Sequence, residues 1–318
     1  MKLASVLSKA LPAGKFWTDA WSLVEGCTPV SPGCAHCWLE GIYGRNLPNR
    51  PKDVVDPHSG CWTGKVVCRE DRLVLPYKSK KPRVYAIWSD FFHGSVPDWF
   101  REKAFAVMAL SVQHHFIIVT KRAEKAAKFL SRLDKDCVAD QVGQLPFLLT
   151  DPDSAHSFVT FKMDTPLPNV TVLVTMEDQL RADERTPYAI EMAAAGWRVG
   201  VLCEPLLGPV QIRQDWGHLG ANGPLDAFSW LIAGGESGLS SRSTHPAWLR
   251  SLRDQAQAAS VPFFFKSWGR MMPAEQTSSG THGKKRRNIY HGLSYENTAS
   301  YPTSKNRLDG REWLEVPE

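Results

Sequence analysis

Residues 170–178 read VTVLVTMED. A short apolar run rich in β-branched residues, ending in two acids, reads as a strand whose two faces are both covered. The stretch Arg181–Ala195 then reads as a helix stopped at Gly196, the residue suited to a left-handed helix end. Arg198–Glu204 (RVGVLCE) repeats the strand pattern.

The same unit recurs on both sides. Upstream, Arg83–Phe92 (RVYAIWSDFF) and His115–Arg122 (HFIIVTKR) are predicted strands. They alternate with predicted helices over Pro97–Val112, with Phe100, Ala104 and Met108 on one face, and over Ala123–Asp134. Downstream come a strand over Phe228–Gly235 (FSWLIAGG), a helix from about His245 to Ala259, and a strand over Val261–Trp268 (VPFFFKSW). With a further strand near Trp17–Gly26, the pattern amounts to an α/β fold with a parallel sheet of about seven strands.

A doubly wound sheet and a full or partial (β/α) TIM-like barrel both satisfy that pattern. The strand ends favour the barrel. Asp90, Lys121, Glu177, Glu204, Glu236 and Lys266 each close an apolar strand, and a barrel gathers such residues at its C-terminal mouth, where barrel enzymes keep their chemistry. A barrel over 1–271 is expected, with insertions at about 44–82 and 135–169 and a basic C-terminal extension over 272–318 packed on it. A hairpin is predicted within the first insertion, Lys65–Cys68 with Arg72–Pro76. Long excursions of this kind often serve as lids or binding elements.

With 43% hydrophobic and 22% charged residues in 318, the composition is that of an ordinary globular protein. No apolar run is long enough to span a bilayer, and Ser8, Lys9 and Pro12 break the N-terminal apolar stretch, so a cytoplasmic location and no membrane partner are expected. The formal net charge of +5 permits an anionic partner without requiring one. Seven cysteines, an odd number, argue against a disulfide framework and for metal or redox use of any close group.

One such group exists. Cys27, Cys34 and Cys37 are spaced C-x6-C-x2-C, and Pro32-Gly33 supplies a turn that folds the chain back toward Cys34. Three thiolates leave one iron of a [4Fe–4S] cluster open, and an open iron can chelate S-adenosylmethionine and reduce its sulfonium. The alternative is structural zinc, which needs a fourth ligand from His36, Cys61 or Cys68. Placement between the first strand and a helix predicted over Trp38–Arg45, at the charged mouth, favours the cluster. Cys61 and Cys68 read otherwise as spare thiols, and Cys137 and Cys203 as small hydrophobes.

Several blocks, among them WTDAWSLVEGCTPVSPGCAHCWLE, SDFFHGSVPDWF, VTKRAEKA, CEPLLGPV, GGESGLSSRSTHPAWLRSLRDQ and PFFFKSWG, resemble the three-Cys-motif proteins of phages and bacteria. That family is a domain of unknown function related to the radical S-adenosylmethionine superfamily. The resemblance implies a radical enzyme barrel with its cluster on Cys27, Cys34 and Cys37; an external electron donor is expected with it, and the choice between isomerisation and group transfer stays open. The superfamily commonly has three residues in the first gap and an aromatic before the last cysteine, where this chain has six and His36. Its Gly-Gly-Glu-like element after the second strand, which holds the methionine amino group, has two counterparts here, Ser89-Asp90 and Gly234-Gly235-Glu236.

Asp90 and Glu236 are therefore expected to line the cofactor pocket, since a carboxylate accepts from an ammonium and paired glycines admit close backbone approach. Ser89, Glu177, Gly234, Gly235 and Lys266 complete the expected cofactor-binding set, with Lys121 and Glu204 beside the thiols as catalytic candidates. The competing reading of these charges is a structural ion-pair network.

Between Gly280 and Arg307 lie Lys284, Lys285, Arg286, Arg287, Lys305 and Arg307 against a single acid, Glu296, with Tyr290, Tyr295 and Tyr301 interleaved. Basic residues neutralise phosphates and aromatics stack on bases, so Lys284, Lys285, Arg286, Arg287 and Tyr290 are candidate nucleic-acid contacts. The resemblance to phage proteins extends this to hypermodification of a pyrimidine in phage DNA, which evades host restriction. A small-molecule or peptide substrate, and a zinc-stabilised nucleic-acid-binding protein without turnover, remain alternatives.

Overall fold

The computed structural model describes residues 2–45, 50–145, 165–212, 227–238, 240–277, 288–290, 292–300 and 305–318. Its centre is one parallel sheet of seven strands: β1 (Asp19–Ala20), β4 (Val84–Ile87), β5 (His115–Thr120), β6 (Val170–Thr175), β7 (Arg198–Cys203), β8 (Leu231–Ala233) and β9 (Phe263–Phe265). Their order in space is their order along the chain, so the sheet has no reversal point of the doubly wound kind and curls as a half-barrel. Apart from the one near Trp17–Gly26, the predicted strands form but stop earlier than expected, each losing its partner before the charged residue that ends it.

Two apolar clusters follow from the period of two along a strand. Phe116, Ile118, Val172, Val174, Val199, Val201, Phe263 and Phe265 point outward into a cluster shared with the helices. Their alternates Val84, Ile117, Leu173, Leu202, Ile232 and Phe264 point inward and form a floor with Trp230, Phe16 and the N-terminal Leu3 and Leu7. Phe16, fully buried, meets Phe264 and Trp230 edge-on at ring separations of 5.8 and 5.7 Å. It thereby fills the gap between the first and last strands.

Local signals set the helix boundaries. Gln179–Ala194 is capped by Asp178, whose Oδ1 accepts from the Arg181 backbone N–H at 2.8 Å, and Gly196 follows with φ +90°. Pro246–Ala258 carries its proline in the first turn, and His245 Nδ1 accepts from the Ala247 N–H at 3.1 Å. Asp98–Leu110 buries Phe100, Ala104 and Met108 as expected.

Two expectations fail. The hairpin over Lys65–Cys68 and Arg72–Pro76 does not form. Val67–Cys68 (β3) pairs antiparallel with Val24–Glu25 (β2), and Val74–Lys78 is a short helix. The pull is long-range: buried Glu25 accepts from Arg69 and Arg72, both at 2.9 Å, and Trp21 Nε1 donates to the Arg72 carbonyl. The single strand near Trp17–Gly26 is likewise split into β1 and β2.

The chain beyond Met272 is tied to the barrel rather than trailing from it. Met271–Pro273 (β10) pairs with Leu293–Asn297 (β12), and β12 pairs with Asn288–Tyr290 (β11). Phe265 N–H donates to the Trp313 carbonyl and Glu315 N–H to the Phe263 carbonyl, which covers the open edge of the sheet. Among the described residues no helix is long and apolar enough to cross a membrane.

Candidate functional site

Continuing the same alternation by even steps, the inward series runs from Val84 through Trp88 to Asp90, from Ile117 through Val119 to Lys121, from Leu173 through Thr175 to Glu177, from Leu202 to Glu204, from Ile232 through Gly234 to Glu236, and from Phe264 to Lys266. The six charges predicted from strand ends thus share one face and one end of the sheet. Above them lies a crevice with two lobes. One, of about 720 Å³ including its open mouth, is walled by Cys27, Cys34, Cys37, Asp90 and Arg122. The other, of about 1260 Å³ on the same measure, is walled by Trp17, Trp38, Glu204, Glu236 and Lys266. Cys37, Trp88 and Lys121 belong to both.

The three cysteines therefore come together on one wall. Gly26, at φ +97°, starts their loop at a point where a Cβ would lie 1.9 Å from the Lys65 carbonyl oxygen. Cys27 Sγ donates to Asp90 Oδ2 at 3.1 Å. Burial, with Asp90 beside it, pushes the Cys27 thiol up from its ordinary value. Cys34 Sγ lies 3.8 Å from Ser31 Oγ. Cys37 is the residue before the helix Trp38–Tyr43, and burial raises its thiol against the opposing pull of the Leu39 and Glu40 backbone N–H groups. Among the described residues, no group of three or more His, Cys, Asp or Glu side chains is gathered closely enough to hold a metal ion.

None of the three fourth-ligand candidates joins the thiols. Cys61 is exposed and turns to the Ser59 carbonyl at 3.6 Å. Cys68 sits in β3 and packs against the outer cluster. His36 Nδ1 lies 3.2 Å from Glu236 Oε2.

Two arginines, Arg122 and Arg242, lock the loop to the strand ends, and a third, Arg185, holds Glu177 beneath it. Arg122 donates Nε and Nη2 to the Asp90 carboxylate at 2.7–2.9 Å and Nη2 to the Thr28 carbonyl at 2.8 Å. Arg242 donates its backbone N–H and Nε to Glu236 Oε2 at 2.7 and 2.9 Å, and Nη2 to the Pro32 carbonyl. Burial alone would raise Glu236, but Arg242 and His36 outweigh it and hold the carboxyl low. Arg185 Nη1 bridges the Thr175 carbonyl and Glu177 Oε2 at 2.7 and 2.8 Å. Arg122 reaches Asp90 over 32 residues and Arg242 reaches the Pro32 carbonyl over 210, whereas Arg242 and Arg185 lie only six and eight residues from Glu236 and Glu177.

Several expected roles change as a result. Asp90 and Glu236 line the crevice but already balance an arginine each. Glu177 is fully buried and lies under Gly33, where a Cβ would fall 2.9 Å from its Oε1. It therefore supports the cysteine turn. Burial would raise it, yet Arg185 and Lys121 keep it below the usual carboxylate value. Ser89 Oγ accepts from the Val24 N–H at 3.4 Å, a structural bond. Gly234 and Gly235 are glycines because of packing: a Cβ on Gly235 would lie 2.1 Å from the Trp268 carbonyl oxygen and one on Gly234 3.2 Å from that of Ser267.

Two groups remain free to meet a ligand. Among the described residues Lys121 makes no ion pair, and Glu204 Oε2 has no hydrogen-bond partner, although Oε1 accepts from Lys266. Lys266 Nζ in turn lies 5.6 and 5.5 Å from the Trp17 and Trp88 ring centres, a cation held over two aromatic faces. Lys284, Lys285, Arg286 and Arg287 lie outside the described residues; Tyr290 is 46% exposed and stands edge-on to Tyr295.

One family model, described as a protein of unknown function (DUF5131), matches residues 15–317. No curated protein and no solved structure matches the chain.

Proposed function

We propose, for a chain that belongs to the DUF5131 family of proteins of unknown function, that Cys27, Cys34 and Cys37 hold a [4Fe–4S] cluster with one iron left for S-adenosylmethionine. The observation that carries this reading is that the three thiols wall one crevice at the mouth of the half-barrel while Cys61, Cys68 and His36 are engaged elsewhere. A single zinc ion asks four donors to meet within about 2.3 Å of one point. A cluster is larger and takes thiols held further apart, and three of them leave it an open position. When bound, such a cluster supplies one-electron cleavage of the sulfonium to a carbon radical that abstracts hydrogen from substrate.

The chain's own residues do the rest. Arg122 and Arg242 tie the cysteine loop to β4 and β8, so the thiols keep their places as the crevice fills. Lys121, shared by both lobes, is the cation available to a ligand carboxylate, and Glu204 Oε2 the acceptor available to a ligand hydroxyl or ammonium. Trp17, Trp38 and Trp88 give the second lobe an aromatic wall that keeps water from a reactive intermediate and offers faces to a flat ring. The substrate we infer is a pyrimidine base of DNA, pre-modified so that a radical rearrangement or group transfer completes it. Support comes from those faces and from the basic, tyrosine-bearing stretch Gly280–Arg307.

The test is turnover. Reconstituted anaerobically with iron and sulfide and given a reductant, the protein is expected to convert S-adenosylmethionine to 5′-deoxyadenosine. Cys34→Ser should abolish this. Lys121→Gln should weaken S-adenosylmethionine binding with the cluster intact. A protein that folds, takes up only zinc and forms no 5′-deoxyadenosine would remove the proposal.

A further inference from the structure

Beside the second lobe, and sharing Trp17, Ser237 and Lys266 with it, is a trough of about 1010 Å³ including open space. Its lining contains Lys15, Lys266, Arg270 and Lys305 and not one acid. Only Lys266 has an ion-pair partner among the described residues, Glu204. Like charges gathered without counter-charge repel one another, so an arrangement of this kind is costly unless an anion completes it.

The cations come from three separate segments that are stitched together. Gly14, at φ +68°, brings the Lys15 loop so near the last strand that a Cβ would lie 2.3 Å from the Lys266 carbonyl oxygen. Trp268 N–H donates to the Lys305 carbonyl at 2.8 Å, and Asn306 Nδ2 to the Pro12 carbonyl at 3.0 Å. Thr298 Oγ1 donates to the Gly269 carbonyl at 2.8 Å, and its N–H to the Arg270 carbonyl. The backbone that carries Lys15, Arg270 and Lys305 is thus fixed before any ligand arrives.

We propose that this trough is a phosphate-binding subsite, which holds the phosphate of a nucleotide while its base enters the neighbouring aromatic lobe. The proposal rests on the preceding reading only for what happens to the base; phosphate binding itself needs no cluster. It also places the anion-recognising surface on Lys15, Arg270 and Lys305 rather than on the run Lys284–Arg287 alone. The nucleotide can be free or part of a strand.

The experiment is equilibrium binding to the full chain, followed by tryptophan fluorescence, with thymidine, thymidine 5′-monophosphate and a ten-residue oligothymidylate as probes. The phosphate-bearing probes are expected to bind and thymidine to bind at least about tenfold more weakly, the size expected for charge-assisted hydrogen bonds. Lys15→Gln with Lys305→Gln should weaken phosphate-bearing probes about tenfold or more, whereas Lys128→Gln, on a remote helix, should not. If the double variant melts early, Lys15→Gln alone, on an exposed loop, carries the test. Tighter and steeply salt-dependent binding of the oligonucleotide identifies a strand; equal affinity for the monophosphate identifies a free nucleotide. Equal binding of thymidine, or undiminished binding by Lys15→Gln, overturns the subsite. These affinities are measured on the protein without iron, so a failure of the cluster reading would be seen separately.

Discussion

The floor and the mouth of this half-barrel are made by the same strands only a few residues apart, yet they are built to opposite rules. The floor residues Ile117, Leu173, Leu202, Ile232 and Phe264 are at most 2% exposed and pack into one apolar cluster. Their successors on the same face are Lys121, Glu177, Glu204, Glu236 and Lys266. Burying charge is costly even when it is paired, and a hydrophobic pair of equal volume would often be as stable. A layer of such groups at one end of an otherwise apolar interior is what a chemical site looks like, not what stability asks for. Within the mouth there is a second contrast. Asp90, Glu177 and Glu236 are held by arginines and position the cysteine loop, whereas Lys121 and one oxygen of Glu204 are left facing the crevice.

Changes in either layer separate these roles. The largest loss of stability is expected from Phe264→Ala, which empties the floor between Phe16 and Trp230 and should cost about 3–5 kcal/mol in denaturant unfolding. Arg185→Leu should come next, at about 3–4 kcal/mol, because it leaves Glu177 buried without its cation. Replacing the pair together, Arg185→Leu with Glu177→Leu, should recover much of that loss. If it does not, the pair does more than compensate itself. At the thiols, Cys34→Ser should change stability by less than about 1 kcal/mol in the metal-free protein.

The smallest effect lies outside both layers. Arg250, with Gln276 and Arg253, lowers Asp309 to about 2. A depressed carboxyl contributes stability above its unfolded pKa of about 3.9 and loses it as the pH falls toward the folded value. The pair is more than a third exposed, so solvent screening should keep the contribution below about 1 kcal/mol. Asp309→Asn should flatten the dependence of stability on pH between 4 and 2 by that amount, with the crevice unaffected.

Much of this layout could be read from the chain. The alternation of VTVLVTMED-like runs with helices gives the parallel sheet, and the charge that ends each run gives the mouth, because both depend on local periodicity. The thiol group is equally local. What could not be read depends on tertiary geometry. Arg185 and Arg242 stand eight and six residues from Glu177 and Glu236, and only the turns after β6 and β8 bring each pair together. The pairing of Val67–Cys68 with Val24–Glu25 depends on Arg69 and Arg72 finding Glu25 over forty residues away. Gly234 and Gly235 suggested a ligand approach; Gly235 does line the second lobe, and the carbonyls of Ser267 and Trp268 add a packing reason for both glycines.

The most direct test of the thiol site is electron paramagnetic resonance of the anaerobically reconstituted, reduced protein, with iron and sulfide counted per chain. The account predicts about four of each, a cluster signal that changes when S-adenosylmethionine is added, and loss of both in Cys34→Ser. A signal indifferent to S-adenosylmethionine, or a folded protein whose three thiols retain zinc and refuse iron, would contradict it.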